Sequence, residues 1–393
     1  MFSPPYVLLD DARDGGRARL YRDPARVLVA WTPGEVRDVL AAIRVDGRHA
    51  AGFLAYEAAA AFEPALPPGP VDGPLAWFGL FDGYEEPDLA ALPDPAGAYV
   101  GALRPLIDRA VYARRFAAVQ ELIVAGDLYQ ANLTFPAAVP VAGDPLAIHA
   151  AVRGRARAGW SAVVATGPEC DGSTILSFSP ELFVALDGRT VTARPMKGTA
   201  RRLADPRADA AAAAALAADA KNRAENLMIV DLIRNDLSRI AAPGSVAVPE
   251  LFAVERYPTV HQMVSAVTAT LADGRDAIDL LAAAFPCGSI TGAPKLRAIE
   301  ALAGIEGAPR GVYTGAIGRL DAAREQGVGD AQFSVAIRTL TLRDGAARMG
   351  LGGGIVADSR AEAEWDEALA KGAFLTAGAR AVDLLETMRF DPV

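Results

Sequence analysis

The chain has 393 residues, of which 52% are hydrophobic and 22% charged, so it can bury a large core and is not disordered. The formal net charge is −9 and no segment is strongly basic, which argues against nucleic-acid binding. Two cysteines, no bilayer-length apolar run and no leader pattern predict a cytoplasmic protein without disulfides, thiolate metal clusters, membrane spans or a signal peptide.

The first part of the chain is rich in glycine and proline and has the patterns of strands. Strands or hairpins are predicted at 25–31, 52–59 and 75–84. The polar, proline-rich stretch 85–97 is predicted to be a linker or a long loop. A helical pattern begins at Asp108 and continues through the segment YARRFAAVQELIVAGD.

Residues 173–202 contain two strand-like runs around Asp187-Gly188, which is a hairpin signal. If these two residues form the turn, Glu181 lies opposite Arg194, and Lys197 lies beyond that pair at the same open end. Three residues of strand span about 10 Å, so a carboxyl group and an amine could reach opposite sides of one small ring compound. An ordinary surface ion pair is the simpler interpretation, and the pattern alone favours it.

A long helical region, nearly polyalanine at first, is predicted over 207–240. On that helix Glu225 shares a face with apolar residues. A carboxylate in such a stripe is costly unless a cation pairs with it. The cation could be an arginine such as Arg223 or Arg234, or a bound metal ion, and the pattern favours neither.

The patterns that follow predict a strand pair, a helix that opens at Pro294, and strands within 311–318 and 332–342. Free N–H groups at the start of that helix could hold an anion, although a simple cap is the better interpretation. Cys287 fits a small buried residue as well as a reactive thiol, and His261 fits a core histidine. Arg338 interrupts an apolar run, where its guanidinium needs an anionic partner from the protein or from a substrate.

The glycine run 350–356 precedes a closing helix. Glycines there would let backbone N–H groups approach a ligand closely. Ser359, followed three residues later by Glu362, predicts a capping box at the start of that helix.

Glu364, Glu367 and Lys371 share one face of the closing helix, which by default is a solvated ladder of charges. If Glu367 meets Glu225 in the fold, the two carboxylates would repel unless a cation lay between them. Two hard oxygen ligands completed by water suit Mg²⁺.

Taken in order, nine segments resemble the family of chorismate-utilising enzymes, whose members make anthranilate, 4-amino-4-deoxychorismate, isochorismate or salicylate. The resemblance covers about 110–375, by the order of its motifs. The segments are DLYQANLT, SPELF, KGTARR, AENLMIVDLIRNDLSRI, PTVHQMVS, CGSITGAPKLRAIEAL, GVYTGAIG, FSVAIRT and GGGIVADS followed by EWDEALAKG.

The resemblance implies an α+β fold in which two large, mainly antiparallel β-sheets pack face to face with helices outside. Its parts would be an N-terminal region (1–105), a chorismate-binding catalytic domain (106–375) and a C-terminal tail (376–393). We expect the N- and C-terminal parts to intertwine, so these boundaries are nominal.

Within the family, Lys197 indicates which reaction is performed. Members that make anthranilate typically carry Ala before the Gly-Thr pair, whereas those that make 4-amino-4-deoxychorismate typically carry Lys. The resemblance implies that Lys197 attacks chorismate at C2 with loss of the C4 hydroxyl, and that ammonia then enters at C4 and displaces the lysine. The attacking amine must be uncharged, so its pKa should be lowered by burial or by nearby Mg²⁺. Glu181 matches the general acid, whose pKa should be raised.

Gln130 and His261 separate the reactions further. Members that add water carry a lysine where this chain has Gln130, and an amide cannot activate water, so water addition is disfavoured. His261 matches a catalytic histidine linked to pyruvate elimination, and we expect it to have only a supporting role here.

The resemblance also implies the residues that hold substrate and metal. Tyr313 and Arg338 would bind the enolpyruvyl carboxylate, and Mg²⁺ would bind Glu225 and Glu367 directly and Glu364 through water. Asn222 stands where many members have an acidic residue. The region of the ring carboxylate would be lined by Gly198, Thr199, Ser289, Gly352, Gly354 and Lys371.

The implied product is a precursor of p-aminobenzoate and folate, and ammonia would come from a separate glutamine amidotransferase subunit. Two alternatives remain open at this point: a member that makes anthranilate, and a non-catalytic chorismate-binding regulatory subunit. The presence of Glu181, Glu225 and Glu367 argues against the second alternative.

Overall fold

The computed structural model describes residues 2–89, 92–257, 260–323, 328–343 and 345–376. Apart from its first residue, the expected C-terminal tail (376–393) lies outside the described residues. No helix in the described part of the chain is long and apolar enough to cross a membrane.

Strands are more numerous than helices in these segments. The strands are β1 (Tyr6–Asp10), β2 (Ala18–Arg22), β3 (Arg26–Ala30), β4 (His49–Leu54), β5 (Ala76–Phe81), β6 (Tyr99–Val100), β7 (Arg104–Pro105), β8 (Gln130–Val139), β9 (Val141–Ala142), β10 (Trp160–Ala165), β11 (Thr174–Ser179), β12 (Leu182–Asp187), β13 (Thr190–Ala193), β14 (Met196–Arg201), β15 (Ala247–Arg256), β16 (Val260–Thr270), β17 (Gly292–Ala293), β18 (Ala316–Ala322), β19 (Val328–Val335), β20 (Thr339–Arg343) and β21 (Ala346–Ile355). The helices are α1 (Pro33–Asp46), α2 (Ala59–Phe62), α3 (Arg109–Val124), α4 (Pro145–Ala156), α5 (Pro206–Ala218), α6 (Ala220–Ser238), α7 (Ala277–Ala284), α8 (Lys295–Glu306) and α9 (Ala361–Ala370).

Two large antiparallel sheets organise the described chain. In the first, the strand order is β17-β8-β21-β20-β11-β10-β1-β2, with β7 beside β8. In the second, the order is β14-β16-β13-β12-β19-β18-β4-β5-β3, with β15 beside β16. Strands from the first hundred residues therefore share both sheets with strands from the last third of the chain.

The sheets pack face to face because their strands alternate apolar residues between two sides. On β5, Trp77 and Phe81 face the layer between the sheets, together with Val7 and Val164 of the first sheet. The outer face of the first sheet packs on α3, α4, α8 and α9, and that of the second on α1, α2, α6 and α7. The expected α+β architecture is confirmed.

Several local predictions were wrong, including the following three. The hairpin pairs Asp187 with Thr190, so its turn lies one residue later than expected and Arg194 does not lie opposite Glu181. Ser359 does not cap α9, because its hydroxyl donates to Glu364 Oε1 (2.6 Å) while Arg360 occupies the cap position. Arg338 lies outside the strands, in a left-handed conformation (φ 52°) between β19 and β20.

A buried ion pair ties the N-terminal strands to β8. Arg310 donates from Nε and Nη2 to the two oxygens of Glu306, each at 2.8 Å, and both side chains are nearly inaccessible to solvent. Arg310 Nη2 also donates to the Asn132 carbonyl (2.8 Å), and its backbone N–H donates to Glu57 (2.7 Å). A bidentate pair whose remaining protons are satisfied offsets the cost of removing both charges from water.

Glu306→Ala should lower the free energy of unfolding by about 3–5 kcal/mol, because it leaves the buried Arg310 guanidinium without a counter-charge. Denaturant unfolding followed by circular dichroism measures the change. As a matched control, Asp127→Ala breaks the exposed pair with Arg297 and should leave the free energy of unfolding nearly unchanged. Equal losses for the two variants would contradict a structural role for the buried pair.

Candidate active site

Lys197 projects from an irregularity in strand β14. Between Met196 and Thr199 the pairing with β16 shifts, so that Lys197 and Gly198 together oppose a single residue. Gly198 has φ 89°, a left-handed conformation that a residue with a side chain rarely adopts. Such a β-bulge re-aims a side chain relative to the regular alternation of the strand, and here the re-aimed side chain is the lysine.

The amine of Lys197 reaches the backbone of β21 at Gly354. A Cβ built on Gly354 would lie 3.1 Å from Lys197 Nζ, 3.0 Å from Gln130 Nε2 and 3.2 Å from Asn132 Oδ1. A side chain at this position would require these three polar groups to move by a few tenths of an ångström. Gly354 is therefore glycine because the lysine and the two amides converge over its α-carbon.

The charge state of Lys197 is set by its surroundings. Burial is the main cause of a lowered pKa of its amine, and the nearby charge of Lys371 lowers it further. The carboxylates of Glu225, Glu181 and Glu367 act in the opposite direction, but the net shift of the pKa is downward. Burial therefore shifts this amine toward the uncharged form that a nucleophile requires, and carboxyl groups from three distant segments act on it.

Glu181 lies where the chain passes from β11 in one sheet to β12 in the other. It is 4% exposed, and burial raises its pKa to about 7, although the hydroxyl of Ser289 and the charge of Lys197 counteract this shift. Ser289 Oγ donates to Glu181 Oε1 at 2.7 Å. A carboxyl group with a pKa near neutrality can donate a proton at physiological pH.

Gln130, at the start of β8, is fully buried, and neither its Nε2 nor its Oε1 has a hydrogen-bond partner among the described residues. Buried amides are nearly always paired, so an orphaned one beside Lys197 indicates a group that pairs when a ligand is bound. Asn132, on the same face of β8, donates from Nδ2 to the Ser289 carbonyl (2.9 Å), which directs its Oδ1 toward Gly354.

Helix α9 brings a second set of charges over β21. Lys371 Nζ donates to the Gly352 carbonyl (2.9 Å) and pairs with Glu367 (3.0 Å). Burial raises the pKa of Glu364, and the charge of Glu367 adds to that effect. Glu364, Glu367 and Lys371, whose spacing predicts a solvated ladder of charges, therefore lie over the glycine-rich backbone of β21.

The resemblance assigns a metal to the carboxylates of Glu225, Glu364 and Glu367. Carboxylate oxygens are the donors that Mg²⁺ prefers, and Glu225 and Glu367 both act on Lys197. No group of three or more His, Cys, Asp or Glu side chains in the described segments already has a metal-binding arrangement. The donor chemistry thus fits Mg²⁺, with water or a ligand needed to complete its coordination.

Arg338 and Tyr313 lie close to the junction of the two sheets. In the described chain the Arg338 guanidinium has no carboxylate partner, stacks 5.8 Å from the Phe374 ring centre, and has a pKa lowered by burial. Tyr313 packs against Gly350 and lines a cleft of about 560 Å³. A buried arginine without a counter-ion is poised to bind an anion.

The imidazole of His261 is hydrogen-bonded to a residue outside the expected site. Its Nε2 lies 2.9 Å from Asp209 Oδ1, and Asp209 also accepts from Arg202 Nε at 2.9 Å. His261 Nδ1 is buried and unpaired. The structure therefore places this histidine against Asp209 of α5, not in contact with Lys197 or Glu181.

The remaining expected site residues surround the bulge. Thr199 is exposed and donates to Gln262 Oε1 (3.0 Å), and Gln262 in turn donates to the Gly198 carbonyl (2.8 Å). Asn222 packs against the α-carbon of Gly198, where a Cβ would lie 2.9 Å from its Oδ1. The hydroxyl of Ser289 already donates a hydrogen bond to Glu181.

Sequence reasoning missed Asn132 and Asp209, whose roles arise from long-range contacts. Asn132 has the position i+2 from Gln130 on a strand, which places both on one face and could have drawn attention to it. Asp209 lies in an alanine-rich helix, and no local pattern ties it to His261.

Comparisons with known proteins agree with this architecture. A profile of chorismate-binding enzymes matches residues 5–377. Over 263 residues the chain is 46% identical to "Aminodeoxychorismate synthase component 1" of Escherichia coli K12, covering 67% of this chain and 56% of that protein. The Klebsiella aerogenes protein of the same name is 40% identical over 347 residues, 82% of this chain and 75% of that one. "Anthranilate synthase component 1" of Streptomyces coelicolor is 41% identical over 276 residues, which cover 70% of this chain and 52% of that protein.

The chain thus spans little more than half the length of the first of these relatives. Among solved structures, anthranilate synthase component I from Streptococcus pneumoniae superposes with a TM-score of 0.77 at 25% identity, covering 96% of this chain and 93% of that one. The menaquinone-specific isochorismate synthase of Escherichia coli gives a TM-score of 0.73 at 19% identity, covering 95% and 88%. The second likeness concerns the fold alone.

Gly198→Ala should destabilise the protein by about 1–2 kcal/mol, because it forces a Cβ into a left-handed conformation and against Asn222. Thermal unfolding measures the loss. Adding Asn222→Ala to the Gly198→Ala variant should recover only the part of the lost stability that comes from the steric contact, since the backbone strain at residue 198 remains. Full recovery in the double variant would contradict the role assigned to the conformation of Gly198.

Proposed function

Since this chain belongs to the family of chorismate-binding enzymes, we propose that it converts chorismate and ammonia into 4-amino-4-deoxychorismate. The observation that carries the proposal is the pair formed by Lys197, an amine with a lowered pKa, and Glu181, a carboxyl group with a raised pKa. The lowered pKa brings the Lys197 amine toward the uncharged form of a nucleophile, and a pKa of about 7 lets the Glu181 carboxyl group give a proton near neutral pH. The names of the Escherichia coli and Klebsiella relatives support the same reaction.

In the first step the uncharged Lys197 amine attacks C2 of chorismate, both ring double bonds shift, and the C4 hydroxyl departs. Glu181 gives its proton to that hydroxyl, so that water leaves, and the carboxylate then takes the proton that the new Lys197–C2 ammonium releases. In the second step ammonia attacks C4, both double bonds shift back, Glu181 protonates the departing Lys197 amine, and the carboxylate takes a proton from the new C4 ammonium. Lys197 and Glu181 then regain their starting states, and the net change is ammonia in and water out.

Substrate recognition follows from the cations of the site. We assign the enolpyruvyl carboxylate to Arg338 and Tyr313, because a buried guanidinium without a carboxylate partner suits an anion. We assign the ring carboxylate to the region of Lys371, Gly352 and the bulge residues Gly198 and Thr199. Gln130 carries no charge and cannot activate water, which favours amination over hydration.

We propose that Mg²⁺ is held by Glu225 and Glu367, with Glu364 acting through water. When bound, the ion supplies positive charge that neutralises the ring carboxylate of the substrate. A dianionic substrate is otherwise repelled by a protein whose net charge is −9. Chelation should therefore weaken chorismate binding.

Ammonia is proposed to come from a separate glutamine amidotransferase subunit. The relatives are named as component 1, which implies a second component for them. The product would feed p-aminobenzoate and folate synthesis.

Anthranilate formation is the second candidate, because the Streptomyces coelicolor relative named for that reaction is 41% identical. The purified chain incubated with chorismate, ammonium and Mg²⁺ should yield 4-amino-4-deoxychorismate, identified by chromatography and mass spectrometry. Anthranilate as the sole product would refute the proposal. Tight chorismate binding without turnover would instead indicate a regulatory subunit.

Lys197→Ala should lower the rate of product formation by on the order of 10³-fold, because the nucleophile is removed. The same ammonia-dependent assay measures it. The control is Arg26→Ala, which removes an exposed cation from β3, at the opposite edge of the sheet from β14, and should leave the rate unchanged. A Lys197→Ala enzyme with normal rates and the same product would exclude covalent catalysis by this residue.

The pH dependence of kcat/KM should fall on the alkaline side with an apparent pKa near 7, as Glu181 loses the proton that it must donate. On the acid side activity should fall as the Lys197 amine becomes protonated, at a pH below that of an ordinary lysine. Glu181→Gln should lower kcat by about 10²–10⁴-fold. Constant activity from pH 6 to well above 8 would show that Glu181 is not the acid.

A further inference from the structure

The hydroxyl of Ser289 lies between Glu181 and Cys287. Ser289 Oγ is 2.7 Å from Glu181 Oε1 and 3.1 Å from Cys287 Sγ. A serine hydroxyl has one proton, and an ionised carboxylate can only accept. The Ser289 proton therefore points to Glu181, and the thiol of Cys287 must be the donor to Ser289.

Cys287 is suited to act as a permanent donor. It is 4% exposed, and burial raises its pKa to about 12, so the thiol keeps its proton across the neutral range. Its position is fixed by its carbonyl, which accepts from Thr291 Oγ1 at 2.9 Å. Its hydrogen-bonding contact with the expected site residues is to Ser289, whose hydroxyl donates to Glu181.

We propose that Cys287 is a positioning residue: its S–H group donates to Ser289, keeps the Ser289 proton on Glu181 Oε1, and so leaves the transferable proton on Glu181 Oε2. This inference rests on the proposed role of Glu181 as general acid.

The physical reason is the weakness of sulfur as an acceptor. If the neutral Glu181 carried its proton on Oε1, that proton would face Ser289, and Ser289 would have to turn its own proton to the Cys287 sulfur. If the proton is on Oε2, both hydrogen bonds of the chain remain intact. The second arrangement presents the acid proton on the oxygen that Ser289 leaves free.

Few other groups act on this relay. The charge of Lys197 and the backbone N–H of Met196 stabilise the ionised form of Glu181. Lys295, which is paired with Asp236 at 2.6 Å, acts on the thiol of Cys287. The pH response of the relay is therefore governed by Glu181 and Lys197, while the thiol stays protonated.

The test compares Cys287→Ala and Cys287→Ser in the full chain, with chorismate and ammonium as substrates. Loss of the donor weakens the bond from Ser289 to ionised Glu181, which raises the pKa of this acid and makes it a poorer proton donor. Cys287→Ala should therefore lower kcat about fivefold and leave KM for chorismate unchanged. The alkaline limb of its pH–rate profile should move to higher pH. Cys287→Ser restores a donor and should return kcat to within about twofold, with the wild-type limb.

Cys170→Ala is the matched control, because Cys170 is the other free thiol and lies away from these residues. It should change neither kcat nor the pH profile. An unchanged profile in Cys287→Ala, a rise in KM instead of a fall in kcat, or equal losses in the Ala and Ser variants would overturn the proposal. The product of the wild-type enzyme tests the proposed function separately. Even if that product were anthranilate, the pH profile of Cys287→Ala would still show whether Cys287 positions Ser289.

Discussion

The site depends on the poor solvation of two side chains, the amine of Lys197 and the carboxyl group of Glu181. Burial acts on Lys197 and Glu181 in opposite directions on the pKa scale, and in both cases it favours the uncharged form. Their mutual attraction favours the charged forms, but it is the weaker effect at both residues. A bulge at Gly198 and a bare α-carbon at Gly354 are what allow the amine to enter so confined a place.

Much of this could be read from the sequence, since local patterns indicate many of the strands and helices and the resemblance carried by the nine motifs implies the fold class. The conformation of Lys197 could not, because a bulge depends on how two strands pair and not on the local sequence. The hairpin turn was misplaced by one residue for the same reason, as Asp187 and Gly188 suit a turn but so does Gly188 with Arg189. Ser359 is a good cap by composition, yet a tertiary contact with Glu364 engages its hydroxyl.

The N-terminal strands belong to the same structural unit as the site. Glu57 accepts two backbone N–H groups from Arg310 and Gly311, and Arg310 holds the carbonyl of Asn132 next to Gln130. Buried polar networks of this kind are costly when any member is missing, so they fix the position of β8 with little tolerance. The catalytic strand is therefore held from a segment that contributes no reactive group of its own.

Two chain crossings between the sheets run side by side, one at Glu181 and the other just before Arg338. They are joined by backbone bonds, from Val335 N to the Glu181 carbonyl (3.1 Å) and from Phe178 N to the Arg338 carbonyl (3.1 Å). Sliding of one layer over the other would strain both covalent links at once. Glu181 and Arg338, to which we assign proton donation and anion binding, are therefore held in a fixed position relative to each other.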